Sequence, residues 1–194
     1  ERFRDRIVIE DLGDQWTKAA VADLRERNII ALFQGRMEFG PRALGNRSII
    51  ANPLDPQARD RINAKVKRRP WYQPFCPSVL EEERKRLFEE SFSHKHMAIA
   101  FRLRAEFRET LSSAVHIDGT GRPQFIEKGD NPEFFRLLSE FKRATAFGIL
   151  INTSFNLHGR TIVRTPEDAV VDFIDCEIDR LYIEGYRVSR RHTN

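Results

Sequence analysis

The sequence predicts an α/β fold: a twisted, mixed β-sheet with helices packed on it. Three observations carry that expectation. Ile29–Phe33 and Phe147–Ile151 are continuous apolar runs of strand length, the pattern of strands buried on both faces. Thr17–Arg27 and the segment from Asn131 to about Ala144 place their apolar residues on one helical face. The two kinds of segment intermix without strict strand–helix–strand alternation, which points to a mixed sheet rather than a parallel one.

Taken in order, Ile7–Ile9 is a short apolar run and a strand candidate. In the first helix Trp16, Ala20 and Leu24 recur at four-residue spacing. After Ile29–Phe33 comes a loop from Gln34 to Gly45, then a strand at Ser48–Ala51 closed by Asn52-Pro53. Pro56–Val66 reads as a helix, with Ala58, Ile62 and Val66 on one face and Arg59, Arg61 and Lys65 off it. Arg68–Pro77 holds Pro70, Pro74 and Pro77 and is irregular. Ser78–Leu80 reads as a strand, Glu81–Glu90 as a charged helix and Met97–Leu103 as a strand. Val115–Ile117 and Gln124–Ile126 flank Asp118-Gly119-Thr120-Gly121, which predicts a hairpin. Phe134, Phe135, Leu138 and Phe141 form the buried side of the helix that opens at Asn131-Pro132. Thr165-Pro166-Glu167-Asp168 is a helix start, with a Thr cap, Pro at the first position and an acid three residues on. That helix runs to about Ile174, and Leu181–Ile183 ends the sheet.

The bulk numbers narrow the classes. A chain of 194 residues, 40% hydrophobic and 32% charged, has ordinary globular composition rather than that of a disordered segment. No apolar run approaches the roughly 20 residues that span a bilayer, and the charged start Glu1-Arg2-Phe3-Arg4 is no signal peptide. A cytoplasmic location is expected, with Cys76 and Cys176 as reduced thiols, since neither sits in metal or redox spacing. A start at Glu1 suggests a piece of a longer chain. The net charge of +4 is unevenly placed: Gln34–Gln73 carries nine Lys/Arg against three acids, a local +6 that leaves −2 elsewhere. Such focusing suits an anionic ligand better than a diffuse basic surface does.

Three segments carry candidate chemistry. Gly35–Ser48 combines three glycines with Arg36, Arg42 and Arg47, whose planar forks suit phosphate oxygens, and its backbone N–H groups are candidates for an anion nest. It is not a Walker A loop, because Gly-Lys-Ser/Thr is absent. Asn63–Phe75 places Lys65, Lys67, Arg68 and Arg69 at a helix end, where cations also serve the helix dipole. Trp71, Tyr72 and Phe75 follow as stacking or packing groups. In Leu150–Asn156 a buried strand runs into Asn152, Thr153, Ser154 and Asn156, and strand ends are where α/β sheets hold ligands. His94 and His96 lack a third metal ligand nearby, and His116 and His158 are uninformative alone; no metal site is expected in this chain.

Together these runs resemble the C-terminal domain of the NodU/CmcH-type carbamoyltransferases. The likeness rests on Gly35-Arg36-Met37-Glu38-Phe39-Gly40-Pro41-Arg42-Ala43-Leu44-Gly45-Asn46-Arg47-Ser48 and on Asn152-Thr153-Ser154-Phe155-Asn156. His116-Ile117-Asp118-Gly119-Thr120 and Ile162–Ala169 also fit. The resemblance implies a YrdC-like domain over residues 28–194, with residues 1–27 leading in from an upstream domain and packed on the fold. It implies an ATP-dependent O-carbamoyltransferase. This part would bind carbamoyl phosphate and ATP, with Mg²⁺, and form carbamoyladenylate. An N-terminal domain of the same chain, itself the iron-bearing part, would pass the carbamoyl group to an acceptor hydroxyl. Lys67-Arg68-Arg69 and Ser154-Phe155-Asn156 fit the YrdC pattern of Lys-x-Arg with a distant Ser-x-Asn. The resemblance thus implies Lys67, Arg69, Ser154 and Asn156 as catalytic, and Arg36, Arg42, Arg47, Asn152 and Thr153 as binding carbamoyl phosphate or ATP. The chain departs from the family pattern where Pro70 replaces Glu and Gln73 replaces Arg, so that a phosphate-binding arginine of the family is lacking; Arg68 is a candidate to compensate, at a different position. Two other classes fit less well: a stand-alone threonylcarbamoyladenylate synthase, and a basic RNA-binding module. No nucleic-acid-binding motif is present, and nucleic acid is not an expected partner.

Overall fold

The computed structural model describes residues 3–157 and 159–191, so His158 lies outside the described residues. Its strands are β1 (Ile7–Asp11), β2 (Ile30–Phe33), β3 (Arg47–Ala51), β4 (Cys76–Leu80), β5 (Phe101–Arg102), β6 (Thr120–Gly121), β7 (Gln124–Ile126), β8 (Ile149–Ser154), β9 (Arg180–Ile183) and β10 (Tyr186–Arg190). Its helices are α1 (Trp16–Arg25), α2 (Ala58–Arg61), α3 (Arg84–Leu87), α4 (Pro132–Thr145) and α5 (Pro166–Asp175). Eight strands form one mixed sheet in the order β1-β10-β9-β2-β3-β8-β4-β7, and β5 pairs with β6 apart from it. Neighbours are antiparallel except β2 with β9 and β4 with β7.

Alternation along the central strands builds two cores. Ile30, Leu32, Ile50, Leu80, Leu150 and Ile126 face one side, where Trp16, Ala20 and Leu24 of α1 and Phe134, Leu138 and Phe141 of α4 cover them. Ala31, Phe33, Ile49, Val79, Ile149 and Ile151 face the other, against Ala58, Ile62 and Val66 and against Phe173 of α5. Both long caps form as the residues dictate. Asn131 accepts from Phe134 N at 3.1 Å at the start of α4. Thr165 and Asp168 form a reciprocal capping box on α5, with bonds of 3.0 and 3.1 Å.

Several expected elements are corrected. The predicted strand Met97–Leu103 shrinks to Phe101–Arg102, because Met97 sits at φ 55, a left-handed conformation no strand accommodates. The Val115–Ile126 hairpin does not form. Thr120–Gly121 pairs with β5, Gln124–Ile126 pairs in parallel with β4, and Pro123 between them has no N–H to give a ladder. The helix expected over Glu81–Glu90 is reduced to a 3₁₀ turn and the single turn of α3. The Pro56–Val66 helix begins as α2 but widens into a π-helical stretch, Ile62–Lys67, ended by Arg68 at φ 46.

Candidate functional site

Strand β8 delivers the first part of the site. Its apolar half, Ile149–Ile151, is fully buried, which fixes the register: Asn152 lies opposite Ile50 and Cys76, and Ser154 opposite Ser48. The strand therefore includes Asn152, Thr153 and Ser154 rather than stopping before them.

The π-helical stretch delivers the second part. Ile62 and Val66 are locked into the core, and the wider turn sets the direction of Lys67. Lys67 Nζ donates to the main-chain oxygens of Ser154 at 2.5 Å and Asn156 at 3.0 Å, and to Asn156 Oδ1 at 2.8 Å. Ser154 Oγ lies 3.3 Å from the same nitrogen and itself donates to Asn156 Oδ1 at 2.6 Å. Burial, and then the charge of Arg69, pull the Lys67 ammonium down to about 7. Arg69 donates from Nε to Asn63 Oδ1 at 2.7 Å and lies over the Phe75 ring at 4.6 Å. Asn63 also donates to the carbonyls of Trp71 and Gln73, so one buried amide shapes the whole 68–75 loop.

The Gly35–Ser48 segment is organised from inside. Glu38 Oε1 accepts from the backbone N–H groups of Leu44, Asn46 and Arg47 at 2.7, 2.8 and 3.1 Å. A carboxylate of the chain itself thus fills the nest that the sequence offered to a ligand. The Arg47 guanidinium, buried over the Phe33 ring, donates to the carbonyls of Gln34, Asn46 and Gly35.

What remains is a cleft of about 140 Å³ at the end of β8. Arg42, Arg69 and Arg122 line it together with Asn152, Thr153 and Ser154, and among the described residues no carboxylate does. Among the described residues none of these three arginines has a carboxylate partner. A shallower trough, lined by Met37, Asn156, Arg160 and Arg164, shares Pro41 and Ser154 with the cleft.

Of the residues named from sequence, five line the cleft and Asn156 lines the trough, while Lys67 lies beneath, bonded to both Ser154 and Asn156. Arg36 is exposed and lines neither, and Arg47 is turned onto its own loop. Arg68 does not reach the cleft; the third cation there is Arg122, which sequence reasoning missed. The signal was an arginine held between Gly121 and Pro123 directly after the Asp118-Gly119-Thr120 run. Among the described residues no group of three or more His, Cys, Asp or Glu side chains is placed to hold a metal, and both cysteines are free. No helix among them is long and apolar enough to cross a membrane.

Fold and site together define an α/β domain with an arginine-lined cleft at the end of a central strand. The chain belongs to the carbamoyltransferase C-terminus family, whose model matches residues 21–190. It is 64% identical over 191 residues to an uncharacterized protein of Methanocaldococcus jannaschii, covering 98% of this chain and 31% of that one. It is 39% identical over 142 residues to the 3'-hydroxymethylcephem-O-carbamoyltransferase of Streptomyces clavuligerus, covering 73% of this chain and 27% of that enzyme. The chain therefore spans less than a third of these relatives. Among solved structures, full-length HypF in its phosphate- and nucleotide-bound form superposes with a TM-score of 0.60 at 18% identity, covering 87% of this chain and 21% of HypF. The shared fold is the YrdC-like one that the resemblance implied.

Proposed function

We propose that this domain carries out the activation half of an ATP-dependent O-carbamoyl transfer. It binds carbamoyl phosphate and ATP and joins carbamate to the nucleotide as carbamoyladenylate. The observation that carries this reading is the convergence of Arg42, Arg69 and Arg122 on one cleft beside Ser154. Three arginines without carboxylate partners among the described residues favour a ligand of concentrated negative charge.

Water takes the phosphoryl group from carbamoyl phosphate, leaving carbamate and phosphate. A carbamate oxygen then forms a bond to the α-phosphorus of ATP, the α–β bridging bond breaks, and pyrophosphate leaves. Crowding of anionic oxygens dominates such a barrier, and fixed cations lower it. The arginines hold carbamoyl phosphate in the cleft, and the trough takes the nucleotide. Ser154, common to both cavities, orients the carbamate where they meet. Lys67 fixes the Ser154–Asn156 turn from below. Arg47 holds the loop that carries Arg42 and does not itself touch ligand. The described residues present no carboxylate set for Mg²⁺, so the ion would be held by the nucleotide phosphates.

The family, the carbamoyltransferase relative and the nucleotide-bound neighbour support this reading. Residues 1–27 lead in from an upstream, iron-bearing domain that passes the carbamoyl group to an acceptor hydroxyl. Calorimetric titration with carbamoyl phosphate and with a non-hydrolysable ATP analogue tests the proposal. Both bind, and Arg69→Ala weakens carbamoyl phosphate at least about tenfold through loss of a charge-assisted pair. Absence of binding by either ligand overturns it.

A further inference from the structure

A row of buried side chains crosses three neighbouring strands beneath the cleft. Gln124 on β7 donates from Nε2 to the Leu44 carbonyl at 3.1 Å, and its Oε1 accepts from Ser78 Oγ on β4 at 2.8 Å. Ser78 Oγ accepts in turn from Asn152 Nδ2 on β8 at 2.9 Å, and the same Nδ2 donates to the Ala43 carbonyl at 3.2 Å. Both ends of the row are main-chain carbonyls, which only accept, so its direction is fixed and neither amide can be turned over.

That fixed direction leaves one atom without a partner. Both N–H bonds of Asn152 are engaged, while its Oδ1 is buried with no donor, in a residue only 1% exposed. Buried acceptors rarely stay empty. Arg122 Nε, from another side chain lining the cleft, is likewise buried without an acceptor. The cleft thus lacks one donor and one acceptor. A fully ionised phosphoryl group supplies acceptors alone, and so does an acyl carbonyl. A carbamoyl group supplies both, because its carbonyl accepts and its amino group donates.

Building on the function proposed above, we infer that Asn152 selects the carbamoyl group: its Oδ1 accepts from the amino group of the substrate and so distinguishes carbamoyl phosphate from acyl phosphates of the same shape. The loop carbonyls of Ala43 and Leu44 and the side chains of Ser78 and Gln124 act as positioning groups that fix the amide and leave this oxygen without a partner from the protein. Hydrogen-bonding sites of this kind reject analogues lacking the bonding group far better than apolar pockets reject an isostere.

Acetyl phosphate, with methyl in place of amino, is the probe. Dissociation constants for carbamoyl phosphate, acetyl phosphate and inorganic phosphate are measured on the protein, on Asn152→Ala and on Ser78→Ala at pH 8. The unaltered protein prefers carbamoyl over acetyl phosphate by at least about tenfold. Asn152→Ala brings that ratio to about one while inorganic phosphate changes by no more than about twofold, since phosphate alone makes no use of this acceptor. Ser78→Ala, which removes one of the two acceptors that hold the Asn152 amide and leaves only the Ala43 carbonyl, lowers the ratio without moving inorganic phosphate, and it decides the matter if Asn152→Ala does not fold. Equal affinity of the unaltered protein for carbamoyl and acetyl phosphate, or a ratio that neither variant moves, overturns the inference and leaves the proposed function standing. Failure of all three phosphates to bind sinks the proposed function instead.

Discussion

Lys67 Nζ lies 2.8 Å from Asn156 Oδ1, a contact between a π-helical turn and the segment that follows β8, 89 residues later in the chain. It joins the two halves of the site in one place, and the ammonium that makes it is held down to about 7 by burial and by Arg69. Unfolded, the same group titrates near its ordinary 10.5. Its contribution to stability is therefore fully present above about 10.5 and is lost as pH falls through about 7.

An anion entering the cleft reverses that pull and raises Lys67 again. Above about 7 the free protein increasingly holds Lys67 neutral, with two N–H bonds left for its three oxygen acceptors, so at pH 8 binding of carbamoyl phosphate takes up a proton at this group, and at pH 6 it takes up almost none. Calorimetry at pH 8 in buffers of different ionisation enthalpy reads the uptake directly. Lys67→Met removes it. Binding heats at pH 8 that do not depend on the buffer contradict the coupling between Lys67 and the cleft.

Arg122 and Arg36 make a matched pair for the assignment of the cleft. Arg122 lines it with Nε unpartnered, while Arg36 is exposed and outside it. Arg122→Ala raises the dissociation constant for inorganic phosphate by about tenfold or more, the worth of one charge-assisted bond of about 1.5–3 kcal/mol. Arg36→Ala leaves it within about twofold. Equal effects from the two would mean that diffuse loop charge, not the cleft, attracts the anion.

The contrast between these arginines also shows what the sequence disclosed. The capping box of α5 and the polar end of β8 were legible because they depend on residues a few positions apart. Arg122 was not, because its place depends on β7 lying parallel to β4, a pairing across 46 residues that no local pattern encodes. Strand β10 was missed for another reason. Only Val188 within it is buried, so it lacks an apolar stripe, although Glu184 and Gly185, both at positive φ, mark the turn that leads into it. Arg47 was legible as a cation in a glycine-rich loop, but its partners are carbonyls that the fold of that loop itself creates.

That reassignment of Arg47 has its own test. The side chain is 4% exposed and satisfies the carbonyls of Gln34, Gly35 and Asn46. Arg47→Met leaves those carbonyls without their donor and lowers stability to denaturant by about 2–4 kcal/mol. Arg47→Lys recovers little, because one ammonium cannot span the fork's acceptors. A variant with full stability but lost phosphate binding would return Arg47 to the ligand.

Gly45 sets how closely this loop lies on α4. Its φ is +115, and a Cβ there would stand 2.3 Å from Cδ1 and 2.6 Å from Cγ of Phe134. Gly40, at φ +111, has nothing within 4 Å of such a Cβ. Both positions strain an alanine, but only Gly45 adds a clash with a ring buried in the core. Gly45→Ala therefore costs at least about 2 kcal/mol more than Gly40→Ala, the usual scale of overpacking. Thermal or denaturant unfolding of the two variants measures the difference. The cause is separable, because Phe134→Ala removes the ring. In that background Gly45→Ala costs no more than Gly40→Ala, leaving backbone strain alone. If Gly45→Ala is equally damaging with and without the ring, the loop is set by its own dihedral and not by α4.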